Sequence, residues 1–193
     1  MKLIAHGKTD KGLVRAENED EFCIEKDLGF LAVADGMGGH ASGEVASKMA
    51  IDIVRDYFKN EKEPLSNRMT SGIRLANKAI YDASKSQSQW NGMGTTIAAV
   101  LLTGNRLSVA HVGDSRVYLV RGGNLEQITD DHTVVSEQVQ KGLMTREEAD
   151  QSAMRHILTR ALGREPEVNL DVDELTMAVG ERIMLCSEGW GEL

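Results

Sequence analysis

Phe30-Leu31-Ala32-Val33-Ala34-Asp35-Gly36-Met37-Gly38-Gly39-His40 is the stretch from which the rest of the chain is read. An apolar run from Phe30 to Ala34 stops at an acid, passes three glycines within four residues, and leads into an amphipathic segment. A strand that ends on a carboxylate and turns through glycine presents that carboxylate at the rim of a sheet. The glycines let backbone atoms approach whatever the acid binds. Asp-Gly is also an ordinary turn signal, so its meaning depends on what surrounds it.

Upstream, Phe22 to Ile24 reads as a strand whose hairpin partner is Phe30 to Ala34. Met1 to Thr9 is a further short strand candidate, closed by the turn Asp10-Lys11-Gly12. Arg15 to Asp20 is dense in charge without helical spacing and reads as a loop. Downstream, Val45, Met49, Ile53 and Tyr57, flanked by Ala46, Ala50, Val54 and Phe58, predict one amphipathic helix. Met69, Ile73, Ala76, Ile80 and Ala83 predict a second beyond Pro64. From Thr95 the period changes. Thr95 to Leu102, Leu107 to Val112, Val117 to Val120 and Leu125 to Ile128 are β-rich segments joined by glycine turns, and the first three are apolar on both faces. Residues 130–164 are polar and broken, with a short helix near Val134 to Lys141 and another opened by a capping box at Thr145 to Glu148. Val168 to Val172 and Arg182 to Cys186 read as the last strands. This order predicts one α+β domain with segregated layers.

The bulk numbers narrow the function. The chain has 193 residues, 41% of them hydrophobic and 27% charged, as soluble globular proteins do. Only 4% are aromatic, so the core must be aliphatic, with nine methionines to fill gaps. Net charge is −8 and no basic stripe is present, which argues against nucleic acid or an anionic membrane as the main partner. The longest apolar run, Ile97 to Leu102, is far too short to span a bilayer. Cys23 and Cys186 lie far apart in apolar segments and read as buried small hydrophobes. With no secretory leader, a reducing cytoplasm is the expected location.

Acids recur beside glycine or at strand ends: Glu19, Asp20, Asp35, Asp114 and Glu188. Gathered at one rim they would repel one another unless cations sat between them. Oxygen donors without histidine or thiolate suit Mg²⁺ or Mn²⁺ rather than zinc. A two-metal site of that kind activates water and clamps a phosphoryl oxygen.

Arg15-Ala16-Glu17-Asn18-Glu19-Asp20, Asp35-Gly36-Met37-Gly38-Gly39-His40, Gly94-Thr95-Thr96 and Val112-Gly113-Asp114-Ser115-Arg116 occur in that order. Leu158-Thr159-Arg160-Ala161-Leu162-Gly163 and Leu185-Cys186-Ser187-Glu188-Gly189 complete the series. Over nearly its whole length the chain resembles a bacterial-type member of the metal-dependent protein phosphatases, the protein phosphatase 2C group. The resemblance implies a four-layer αββα sandwich, two antiparallel sheets flanked by helices, with metals at one end. It implies hydrolysis of phosphoserine and phosphothreonine on proteins by a metal-activated water, opposite a Ser/Thr kinase pathway in bacterial signalling. Under it Asp35 bridges two Mn²⁺ or Mg²⁺ ions and Gly36 adds a carbonyl ligand. Glu19 and Asp20 form the acidic pair, Asp20 acting mainly through a metal-bound water. Asp114 holds a third, weaker metal. Arg15 grips the substrate phosphate, and residues 130–164 are the flap that shapes substrate choice. No phosphoenzyme is implied, so neither cysteine is a nucleophile.

The chain departs from the family pattern in places. Some relatives place a histidine directly after Asp-Gly, where this chain has Met37; His40 is expected to be a helix-entry residue instead. Glu188 stands where the family has aspartate, which moves the carboxylate by about a bond length. Mn²⁺ is expected to tolerate that shift better than Mg²⁺. The family continues beyond the equivalent of Leu193 through a helix and a strand whose aspartate completes the second metal site. The expectation is therefore a missing last strand, a second metal short of a ligand, and an open sheet edge that invites self-association or a partner strand. Two functions stay open: a phosphatase weakened by Glu188 and the absent aspartate, or a degenerate phosphatase-like domain that binds a phosphoprotein or partner. A two-metal nuclease is disfavoured by the acidic surface and the motif order.

Overall fold

The computed structural model describes residues 3–13, 15, 17–38 and 42–187, with backbone only at 65 and 66. β1 (Asp20–Glu25) and β2 (Phe30–Met37) form the expected hairpin, in antiparallel register from Asp20↔Asp35 to Glu25↔Phe30. Side chains alternate along β2. Phe30, Ala32 and Ala34 enter one core, whereas Leu31 and Val33 pack against another.

The first core is roofed by α1 (Ser42–Asn60) and α2 (Leu65–Ser86), which pack on each other. Ala46, Ala50, Val54 and Phe58 are the buried stripe of α1, with Val45, Met49 and Ile53 partly buried beside it. Phe58 stacks on Phe30 with ring centroids 4.1 Å apart. Met69, Ile73, Ala76 and Ile80 are the stripe of α2, as their spacing predicts.

β3 (Gly94–Thr95), β4 (Ile97–Thr103) and β5 (Arg106–Val112) follow. The larger sheet runs β1-β2-β4-β5-β8, with β3 also on β2. The second sheet is β7-β6-β9, made from β6 (Arg116–Arg121), β7 (Asn124–Gln127) and β9 (Arg182–Cys186). All pairings are antiparallel. Ala98, Val100, Leu107 and Val109 of the larger sheet meet Val117 and Leu119 of the smaller in the second core. The α+β sandwich of two antiparallel sheets flanked by helices is therefore present. Its segment 130–164 carries α3 (Val134–Gln140) and α4 (Arg146–Asp150), the latter opened by the Thr145–Glu148 capping box.

Antiparallel order brings many chain ends to one rim. The start of β1, the ends of β2 and β5, and the starts of β4 and β8 are register neighbours. In the second sheet the start of β6 lies beside the end of β9. Of the acids singled out above, Glu19, Asp20, Asp35 and Asp114 fall on this rim.

Two strand expectations are corrected. Residues 3–11 form no strand, and nothing from 3 to 13 is buried, so the segment lacks the pairing that its mixed pattern needed. The strand expected at Val168 to Val172 is instead β8 (Asp171–Thr176). Val168 and Leu170 are spent as apolar anchors on the helix-side core. Among the described residues β8 pairs only with β5, from His111↔Asp171 to Arg106↔Thr176, and an edge strand with one neighbour tolerates the acids that hid it. Cys23 and Cys186 are buried free thiols as expected, and burial pushes Cys23 up to about 12, so it carries no thiolate. No helix of the described residues is long and apolar enough to cross a membrane.

Candidate active site

Asp20 and Asp35 face each other across the β1–β2 ladder, so both side chains lie on the same face, the one toward the second sheet. Like charges directly opposite one another destabilise a ladder, and here the sheet ends on such a pair. The backbone of Asp35 is held firmly. Its N–H donates to Thr96 Oγ1 at 3.0 Å, and its carbonyl accepts from Thr95 Oγ1 at 2.8 Å and Thr96 N at 2.9 Å. Thr96 Oγ1 is in turn 2.6 Å from Ser115 Oγ, one residue beyond Asp114.

Gly36 is required by close approach. A Cβ there would lie 2.0 Å from the Gly43 carbonyl oxygen and 2.8 Å from that of Glu19. A Cβ on Gly43 would meet Glu19 Oε1 at 2.5 Å, so the first turn of α1 rests against that carboxylate. The positive end of the helix dipole favours an anion there. Gly113, at φ +100°, makes the turn that delivers Asp114, which is 5% exposed.

These elements enclose a cavity of about 790 Å³. Arg15, Glu19, Asp35, Gly36, Thr96 and Asp114 form one side. Residues 156–161 and Arg164, from the segment read as a flap, form the other. The structure thus brings together Arg15, Glu19, Asp35, Gly36 and Asp114. Arg15 Nη1 donates to Glu19 Oε2 at 2.6 Å while remaining largely exposed. Asp20 does not line the cavity; its Oδ2 accepts from Ser187 Oγ at 2.9 Å, joining the two sheets at the rim. Glu188 and His40 lie outside the described residues. Met37 lines the cavity.

The donor set fits a hard divalent cation. It is all oxygen, it concentrates negative charge, and Gly36 leaves its backbone uncovered by any side chain. Among the described residues no three of these acids converge within 4.8 Å.

Sequence reasoning passed over a second layer. Arg116 grips Asp131 through a fork, Nε at 2.9 and 3.1 Å and Nη2 at 2.6 Å, which anchors the start of segment 130–164 to β6. The hydrogen bond to Asp131 raises the Arg116 pKa and keeps the guanidinium charged. Among the described residues, one trio of His, Cys, Asp or Glu donors converges within 4.8 Å: His111, His132 and Asp171. Burial first, then His111 and Arg160 nearby, lower the His132 pKa to about 4, so the ring is neutral. Burial acts to raise the Asp171 carboxyl, but hydrogen bonds from Arg160 and His132 outweigh it and hold the carboxyl below its ordinary range. The available signal was Asp130-Asp131-His132, an acid pair beside a histidine in an aperiodic stretch.

Comparison with known proteins gives a consistent answer. The profile of the family described as "Protein phosphatase 2C" matches residues 13–192. The serine/threonine protein phosphatase PstP of Mycobacterium tuberculosis is 43% identical over 186 residues, covering 94% of this chain and 35% of that protein. The chain thus spans about a third of the length of that relative. The serine/threonine phosphatase stp of Listeria welshimeri is 36% identical over 193 residues, covering 96% of this chain and 77% of the relative. A solved structure of the PstP catalytic domain in complex with two manganese ions superposes with a TM-score of 0.79 at 43% identity, covering 93% of this chain and 75% of that one.

Proposed function

The chain belongs to the protein phosphatase 2C family, and from that premise we infer that it hydrolyses phosphoserine and phosphothreonine on proteins in a divalent-metal-dependent reaction. The observation that carries this reading is the cavity lined by Asp35, Glu19, Asp114 and Arg15, with Asp20 opposed to Asp35 across the adjoining ladder. Such crowding of carboxylates costs the fold stability and gains a purpose once cations neutralise it.

Asp35, the Gly36 carbonyl, Glu19 and Asp114 would hold the ions, with Asp20 acting from the rim and Glu188 as a further ligand. When bound, such ions supply Lewis-acid charge to phosphoryl oxygens and acidify water. The chain's own residues do the rest. Thr95 and Thr96 fix Asp35 through its backbone, so its carboxylate is aimed before substrate arrives. Arg15 presents a planar fork whose second edge suits two phosphate oxygens while Nη1 stays on Glu19. The flap wall limits access of bulk water and meets the peptide around the phosphoresidue. No thiol is needed, in accord with the buried, protonated Cys23.

Mn²⁺ is the cation we assign first, with a third ion at Asp114. Manganese in the PstP structure supports the metal type, and the matching acids support turnover over mere partner binding. The free buried thiols support a reducing compartment, where the products of a Ser/Thr kinase would be the substrates. The test is hydrolysis of a phosphothreonine peptide across a Mn²⁺ titration. Saturable turnover that Asp35→Asn lowers by about a hundredfold or more is expected. Equal turnover in chelator, or in the variant, would overturn the reading.

A further inference from the structure

His132 stands where the two walls of the cavity meet. Its Nδ1 accepts the Gly113 N–H at 3.1 Å, and Gly113 is the residue before Asp114. Its backbone N–H donates to the Gly113 carbonyl at 3.0 Å, and its own carbonyl accepts from Thr159 N at 2.8 Å. Nε2 lies 3.2 Å from Asp171 Oδ2, and Asp171 Oδ1 accepts from Arg160 Nη1 at 2.6 Å. Thr159 and Arg160 both line the cavity.

The backbone decides the tautomer. A donor fixed in front of Nδ1 leaves that nitrogen unprotonated, so the ring proton is on Nε2 and points at Asp171. The groups facing the ring are His111, its ring tilted by 30° with centroids 4.4 Å apart, Asp171 and Arg160. His111 donates its own Nε2–H to the Asp130 carbonyl at 2.8 Å.

The trio of His111, His132 and Asp171 also invites reading as a metal site. A cation on His132 Nε2 would displace the proton to Nδ1, where it would confront the Gly113 N–H. The hydrogen bonds therefore disfavour an ion and favour a mechanical link.

We propose that His132 is a positioning residue that couples the two walls of the active site. Through Nδ1 it holds the Gly113–Asp114 turn, and through Asp171 it holds the flap wall at Arg160. The functional consequence rests on the phosphatase reading above, because it assigns Asp114 to a cation and the flap to substrate.

Two substitutions separate the links. His132→Asn keeps an acceptor at the δ position for Gly113 and loses the donor to Asp171. His132→Gln keeps a donor at the ε position and leaves the Gly113 N–H unpaired. With folding verified by circular dichroism, Mn²⁺ affinity measured by calorimetry is expected to fall about tenfold in His132→Gln and stay within about twofold in His132→Asn. KM for a phosphothreonine peptide is expected to rise about fivefold in His132→Asn and in Asp171→Asn, with kcat changing less. In unaltered protein, ¹⁵N spectra should show Nδ1 unprotonated and Nε2 protonated from pH 5.5 to 8.

Identical shifts of Mn²⁺ affinity and KM in the two His132 variants would reduce the residue to a structural one and overturn the coupling. So would a proton on Nδ1. Unaltered protein that binds Mn²⁺ but hydrolyses nothing sinks the phosphatase reading instead, and the calorimetry and spectra still decide the link to Gly113. Unaltered protein that binds no Mn²⁺ overturns both.

Discussion

Gly36→Ala is the most searching substitution, because it adds one carbon at the point where strand, helix and acid converge. The new Cβ would lie 2.0 Å from the Gly43 carbonyl oxygen, whereas ordinary contact begins at 3.4 Å. The first turn of α1 must therefore retreat by about 1.4 Å, or β2 must bend away by as much. Either movement separates Gly43 from Glu19 and loosens the Gly36 N–H bond to the Glu19 carbonyl, which is 2.9 Å long. Overpacking of a filled interior costs about 1–3 kcal/mol, so a loss of about 2 kcal/mol is expected in urea denaturation. Mn²⁺ affinity should fall by at least about tenfold, because one proposed donor is the Gly36 carbonyl and another is Glu19. Gly72→Ala is the internal control. It lies within α2, and its Cβ would be 3.5 Å from Tyr57, so helix propensity should stabilise it by about 0.5–1 kcal/mol. If Gly36→Ala unfolds like the parent and binds Mn²⁺ as tightly, the close-approach reasoning is wrong.

Three further outcomes follow from the same contacts. Thr96→Val removes the acceptor of the Asp35 N–H and the partner of Ser115; stability should drop by about 1–3 kcal/mol, with kcat falling more than KM rises, as denaturation and steady-state kinetics would show. His132 has a folded pKa near 4 against an ordinary value of 6.5, so the unfolded chain binds the extra proton. Stability is therefore fully present above about pH 6.5 and declines as pH falls toward 4, by up to about 3 kcal/mol from this group; urea midpoints at pH 7.5, 6 and 5 should decline less steeply in His132→Asn. Asp35→Asn should raise stability in chelator by about 0.2–1 kcal/mol, by relieving the opposition with Asp20, and lower it relative to the parent in saturating Mn²⁺. Thermal denaturation with and without Mn²⁺ checks that crossover, and destabilisation in chelator would count against charge opposition.

Most of the framework was legible because its residues obey a period. The stripes of α1 and α2 and the doubly apolar strands β4 and β5 each satisfy one geometry, so local pattern and tertiary role agree. β8 was misplaced for the opposite reason. Its residues are acidic at an edge, and pairing with β5, not hydrophobicity, sets its register. The cavity acids were legible as turn residues beside glycine, but their convergence was carried by motif order, since spacing along a chain does not reveal which strand ends share a rim. His132, Asp131 and Asp171 were invisible because each works through a contact with a distant residue in a stretch without period.

The two sides of the cavity are built differently, and that difference bears on how the site works. On the floor, Asp35 and Gly36 are held through their own main-chain atoms, to the hydroxyls of Thr95 and Thr96, the Thr96 N–H, the Glu19 carbonyl and the start of α1. Thr95 and Thr96 are buried, so these contacts shift little when surface side chains rearrange. The flap wall combines backbone bonds with side-chain ion pairs, Arg116 with Asp131 and Arg160 with Asp171. Ion pairs with substantial solvent exposure, such as Arg160 with Asp171, are individually weak. Under the proposed function, a floor held by buried contacts would keep the cation donors constant from one phosphoprotein to the next, and a wall pinned partly by solvent-exposed ion pairs would give way to peptides of different shape without disturbing that floor. His132 touches both kinds of structure, with Nδ1 on the backbone of one wall and Nε2 on the ion pair of the other, which is why its two nitrogens should report on different steps.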